Sequence, residues 1–140
     1  MKSILILTLL LSCFNGIYSN LTLDELMDLM KAFRQQCETK SNVDEELVDG
    51  INLGKFPKDP ALMCYTHCIL ESLNMIRKGK LKADLAIKNV NTFLPANMRE
   101  QWVRGITACK EIGDEITEPC ERTFAKVECF YSNNDHFLFP

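Results

Sequence analysis

Positive charge is in short supply in this chain, and the shortage excludes whole classes of partner. Lys and Arg number 16 against 19 Asp and Glu, a formal net charge of −3. Nucleic acid and anionic membranes are bound mainly through clustered Lys and Arg, so neither is expected. Glycine and proline are also few, 6 and 5 in 140 residues, while 46% of the residues are hydrophobic. That balance belongs to a globular chain rather than a disordered one. No apolar run reaches the roughly 20 residues that cross a bilayer, so stable membrane insertion is not expected. Convincing strand alternation, internal repeats and low-complexity stretches are missing too, which leaves helices as the expected building material.

What the chain does have is an export pattern followed by cysteines. Lys2 precedes an apolar stretch over residues 4–14, and small residues at 16–19 suit cleavage after Ser19. Residues 1–19 are therefore expected to be a signal peptide and residues 20–140 one secreted, extracellular domain whose charge is one unit more negative, because Lys2 leaves. Cys13 leaves with the signal. The remaining six, Cys37, Cys64, Cys68, Cys109, Cys120 and Cys129, are separated by 26, 3, 40, 10 and 8 residues. In an oxidising compartment six thiols are most simply three disulfides, with none left for catalysis or metal. Asn20-Leu21-Thr22 matches a glycosylation sequon, but an acceptor at the mature terminus is a poor one.

Helical periodicity covers most of the rest. Leu23, Leu26, Met27, Met30, Phe33 and Cys37 recur on one side of a first helix, with Asp24, Glu25, Asp28, Lys31 and Gln35 on the other; Thr22 and Glu25 form a capping box at its start. A short helix over about residues 43–50 ends at Gly50, and residues 54–57 read as a loop. Asp59 and Pro60 open a third helix as N-cap and first helical residue, and it runs to Gly79 behind Arg77 and Lys78. A fourth spans about 82–93 and stops before Pro95. The fifth, about 97–112, aligns Met98, Trp102, Ile106, Cys109 and Ile112 and stops at Gly113. The sixth runs from Pro119 to about 131 with Cys120, Phe124, Val127 and Tyr131 on one stripe, and Cys129 on the opposite side.

On the third helix Cys64 and Cys68 are four residues apart and share a face, while Thr66, Ile69, Leu70, Leu73 and Ile76 lie roughly opposite. Only a narrow stripe of His67, Glu71, Asn74 and Lys78 is expected to meet water. A helix covered on both faces is the central element of a bundle, so the fold class is all-α, with about six helices.

Six cysteines with these gaps, the second and third on one helix face three residues apart and the fifth and sixth eight apart, resemble the insect odorant-binding protein family over the whole of residues 20–140. The count alone leaves 15 pairings open. The resemblance implies first with third, second with fifth and fourth with sixth: Cys37–Cys68, Cys64–Cys120 and Cys109–Cys129. It further implies a compact bundle, stapled by three interlocked disulfides, around an internal apolar cavity. The implied function is that of a non-enzymatic secreted carrier, without cofactor, which takes small apolar volatile ligands through aqueous sensillar fluid. An olfactory receptor would be a further partner, and the state a monomer or weak homodimer. A covalent frame suits such a cavity, which a purely packed core would tend to collapse at about 24 cal/mol per Å³ of void.

Candidates for the cavity wall are Met30 and Phe33 on the first helix and Thr66, Leu70 and Leu73 on the third. Phe93, then Met98, Trp102 and Ile106 on the fifth helix and Phe124 on the sixth, complete it. Thr66 places a hydroxyl on an apolar face, where it can meet a ligand alcohol or carbonyl or the carbonyl of its own preceding turn. The tail, residues 130–140, carries Phe137, Leu138 and Phe139, too apolar for a solvated end, and is expected to fold back as a wall or lid. His136 beside Asp135 offers that lid a pH-sensitive contact.

Other chemistry fits less well. His67 beside Cys68 invites a metal, but its stripe faces solvent and the thiols are wanted for disulfides. Secreted phospholipase A2 is also small, helical and disulfide-rich, yet its histidine-aspartate pair and cysteine-flanked glycine loop have no counterpart around His67, Gly50 or Gly54. The alternative of a different class is a secreted protein that uses the same frame to bind another protein or a non-olfactory lipid, as in saliva or venom.

Overall fold

Four of the six helices among the described residues begin where a side chain takes up amides that the helix itself leaves free. In the computed structural model, which describes residues 22–140, α1 (Leu23–Ser41) opens on the Thr22–Glu25 capping box. Glu25 N donates to Thr22 Oγ1 at 3.2 Å and Thr22 N to Glu25 Oε2 at 2.8 Å. Asp44 caps α2 (Glu45–Ile51), Asp59 caps α3 (Pro60–Ser72), and Glu118 caps α6 (Pro119–Ser132). Between them lie α4 (Ala83–Phe93) and α5 (Ala96–Cys109), which start without a side-chain cap. The expected signal peptide, Cys13 and the Asn20 sequon lie outside the described residues. No described helix is long and apolar enough to cross a membrane.

Several boundaries differ from those read in the sequence. Gly50 does not end α2; it lies buried inside it, and Gly54 takes the left-handed position (φ +74°) instead. A Cβ at Gly54 would fall 2.6 Å from the Tyr131 hydroxyl, so both conformation and space demand glycine. Helix α3 stops at Ser72, seven residues before Gly79. Asn74 adopts φ +56° there, its N–H donating to Glu71 O at 2.8 Å and that of Met75 to Leu70 O at 2.9 Å, the paired bonds of a Schellman stop. The chain then forms a hairpin that the sequence did not suggest, β1 (Ile76–Arg77) against β2 (Lys80–Leu81), turned at Lys78 and Gly79 with φ of +53° and +70°. Strands of two residues are too short to show a period, and a two-residue loop with both φ positive is the turn that matches strand twist. Helix α5 likewise ends at Cys109, earlier than expected, before a turn at Gly113.

Three disulfides frame the bundle. Cys37–Cys68 joins α1 to α3, Cys64–Cys120 joins α3 to α6, and Cys109–Cys129 joins α5 to α6. Helix α3 packs on both α1 and α6, while α4 packs on α5. Burial divides into two apolar clusters. The larger joins Leu62, Tyr65 and Ile69 of α3 with Val48 and Ile51 of α2, Phe124 and Val127 of α6, and Phe139 of the tail. The smaller is Val90, Leu94 and Met98, flanked by Leu26, Trp102, Val103 and Ile106. His67 was expected on a solvated stripe; its side chain is 13% exposed, wedged between α3 and α6 with Nδ1 2.8 Å from Thr123 Oγ1 and Nε2 3.4 Å from Glu71.

Candidate ligand-binding site

The two apolar clusters do not fuse, and two adjoining voids are lined by residues of both. The larger, about 400 Å³, is walled by Leu26, Met30 and Phe33 of α1, by Val90 and Phe93 of α4 and by Met98 and Trp102 of α5. Leu73 and Met75 close it below, with Leu138 and Pro140 of the tail. Its rim is open to water, since Leu23, Leu29 and Phe93 are 39%, 56% and 46% exposed. The smaller void, about 90 Å³, lies between Leu70, Leu81, Ala86, Ile106, Val127 and Phe130, and none of its lining residues is exposed. Met30, Leu73, Met75, Trp102, Leu138 and Pro140 border both, so the smaller void is an inner annex of the larger.

Ten of the residues named from the sequence meet here: Met30, Phe33, Leu70, Leu73, Phe93, Met98, Trp102, Ile106, Leu138 and Phe139. Three do not. Thr66 is fully buried and donates its hydroxyl to Met63 O at 2.8 Å, which keeps it in its own helix turn and away from both voids. Phe124 packs edge-on against Phe56 with ring centroids 5.7 Å apart, inside the larger core. Phe137 sits behind the wall, among Phe130, Tyr131 and Phe139 at 5.8, 5.0 and 6.2 Å.

Met75, Leu81, Val90, Leu94 and Pro140 escaped the sequence reading. Met75 precedes the hairpin and Leu81 lies in its second strand, a stretch read from the sequence as helix end and loop. Lys126 escaped as well. It is 5% exposed, and its ammonium donates to Lys110 O, Ile112 O and Asp114 Oδ1 at 2.7, 2.7 and 2.6 Å, which engages all three N–H groups at the C-terminal end of α5. Only its methylenes are left for the annex wall. Cys64, Glu118 and Cys120 lie close enough together to suggest a metal, but the two sulfurs are already bonded to each other.

The tail is fastened by a specific set of bonds. The Asn52 side chain brackets Phe139, Nδ2 donating to its carbonyl at 2.8 Å and Oδ1 accepting from its N–H at 2.9 Å. Tyr65 donates its hydroxyl to Pro140 O at 2.5 Å, and burial raises the phenol well above its ordinary pKa, so it remains a donor throughout the physiological range. Trp102 Nε1 donates to His136 O at 3.1 Å, and Gln101 to Asp135 Oδ2 at 2.9 Å. His136 is thus held through its main chain, and among the described residues no hydrogen bond or ion pair engages its exposed ring. Asn52→Ala leaves two Phe139 groups without their partner and is expected to cost about 1–3 kcal/mol in urea unfolding, with faster hydrogen exchange at Phe139.

Residues 19–133 match the PBP/GOBP family. General odorant-binding protein 72 of Anopheles gambiae is 32% identical over 121 residues, 86% of this chain and 100% of that protein. Among solved structures, Apis mellifera odorant binding protein 5 shares 30% identity and a TM-score of 0.76, covering 87% of this chain and 100% of the other. Odorant Binding Protein 4 of Chrysopa pallens shares 28% and a TM-score of 0.78, covering 86% and 99%. Odorant Binding Protein 7 of Anopheles gambiae, solved with four disulfide bridges and an azo compound, shares the fold at 20% identity and a TM-score of 0.60, over 77% of this chain and 85% of that one. Matched along most of its length, and carrying three disulfides in a six-helix frame, the chain belongs to the insect odorant-binding proteins, a family of non-enzymatic carriers.

Proposed function

We propose that the protein is a secreted carrier that takes up one small, mostly apolar volatile molecule in the adjoining voids and releases it again after passage through an aqueous sensory fluid. The observation that carries this reading is the pair of adjoining apolar spaces, about 400 and 90 Å³, that share six wall residues within a disulfide frame. A void of this size falls in the range of small-molecule sites. An apolar guest gains about 25 cal/mol per Å² of surface removed from water, and no bond need be made or broken. The azo compound in the 20% identical mosquito protein is in keeping with a guest of that kind.

The test is uptake of the naphthylamine probe N-phenyl-1-naphthylamine by the purified protein. Enhanced, saturable emission that aliphatic volatiles reverse at micromolar concentration is the expected result. Absence of enhancement, or enhancement that no volatile reverses, would remove the carrier reading in favour of a frame that binds another protein.

A further inference from the structure

The larger void is apolar almost throughout, and its polar wall residues, Ser72, Asn74 and Asn89, gather at one place, the C-terminal end of α3. Asn89 reaches across from α4 and donates Nδ2 to Leu73 O at 2.8 Å. A carbonyl can only accept, so the amide must present its nitrogen there and turn Oδ1 the other way. Among the described residues no donor reaches that oxygen. Ser72 Oγ lies 3.7 Å from Cys37 Sγ, and since that sulfur is in a disulfide the serine holds the proton. Asn74 is exposed and its Oδ1 already accepts from Arg77 Nε at 3.2 Å, which leaves its side-chain NH2 donors at the solvated rim. Among the described residues no Lys, Arg or His lines this void.

The open acceptor at the polar end is therefore Asn89 Oδ1, and Arg77, a cation beside that end, is taken up by Asn74 and lies outside the wall. We infer that Asn89 is the polar anchor of the larger void, its open Oδ1 accepting a hydrogen bond from a ligand hydroxyl and selecting aliphatic alcohols over acetates, aldehydes and carboxylates of the same chain length. This rests on the carrier reading and names the chemistry of the guest. Acetates and aldehydes have no proton to give. A carboxylate has no proton to give either, and it would set its charge against the Asn89 Oδ1 lone pairs in a void that no Lys, Arg or His lines.

Competition for N-phenyl-1-naphthylamine by dodecanol, dodecyl acetate, dodecanal and dodecanoate tests it. Dodecanol should bind roughly three- to tenfold more tightly than the acetate, the worth of one neutral hydrogen bond. An anchorless apolar cavity gives the reverse order, because the acetate carries more carbon. Asn89→Leu should bring the alcohol-to-acetate ratio to one or below. An acetate that matches or beats the alcohol on the unaltered chain overturns the anchor, whether or not the variant folds, as does a folded Asn89→Leu chain that keeps the alcohol preference. A chain that takes up no probe removes the carrier reading itself, and the anchor falls with it.

Discussion

A chain in which both Cys64 and Cys120 are replaced by alanine is expected to lose about 4 kcal/mol of stability in urea unfolding under non-reducing conditions. The cross-link spans 56 residues of chain, against 31 for Cys37–Cys68 and 20 for Cys109–Cys129. In the loop-entropy account the cost rises with the logarithm of that span, so removal of the 20-residue bridge should cost nearer 3 kcal/mol. The order of the three midpoints is thus a sharper check than any one of them. The Cys64–Cys120 variant should also lose probe binding well before it unfolds, because this bridge clamps α3, which carries Leu70 and is followed by Leu73, to α6, which carries Val127 and Phe130. Equal losses for all three bridges would contradict the loop argument.

The second large effect is expected from enlarging a side chain that borders both voids. Met30 borders both and sits within α1. Met30→Trp places an indole in the void, taking away about 100 Å² of the guest's contact. At about 25 cal/mol per Å² that is about 2.5 kcal/mol, or between one and two orders of magnitude in affinity. Stability should hardly change, since the added volume enters empty space rather than a close-packed core. A displacement assay on the variant, paired with its urea curve, separates the two effects. Unchanged affinity would mean that the guest does not occupy this region.

Much of the frame was legible because its signals are local. The Thr22–Glu25 box and the Asp59-Pro60 start each depend on a few adjacent residues, and both stand where the sequence put them. The end of α3 was not legible. Ile76 continues the apolar spacing of Ile69, Leu70 and Leu73 in helical register, and only the left-handed turn at Asn74 breaks the helix first. The disulfide pairs followed from the family pattern and not from the spacing, which leaves 15 choices.

The wall of the site was legible as an apolar face but not as a cavity face. Helical periodicity gives the same mark to Phe124, which meets Phe56 in the core, and to Trp102, which borders both voids. Which of two apolar surroundings a residue meets depends on where the two cores fail to join, and that is a property of the assembled bundle. Lys126 shows the converse: a charged residue can enter the wall because three oxygens from the end of α5 and its following turn receive its ammonium.

Trp102 offers the most direct measurement of the central claim, that the adjoining voids hold the guest. It is the single tryptophan of the chain, it borders both voids, and its indole N–H fastens the tail at His136 O. Titration with dodecanol, read by Trp102 emission, should shift the spectrum and saturate at one ligand per chain. Saturable probe displacement by the same alcohol with no change at Trp102 would place the guest elsewhere and contradict the account.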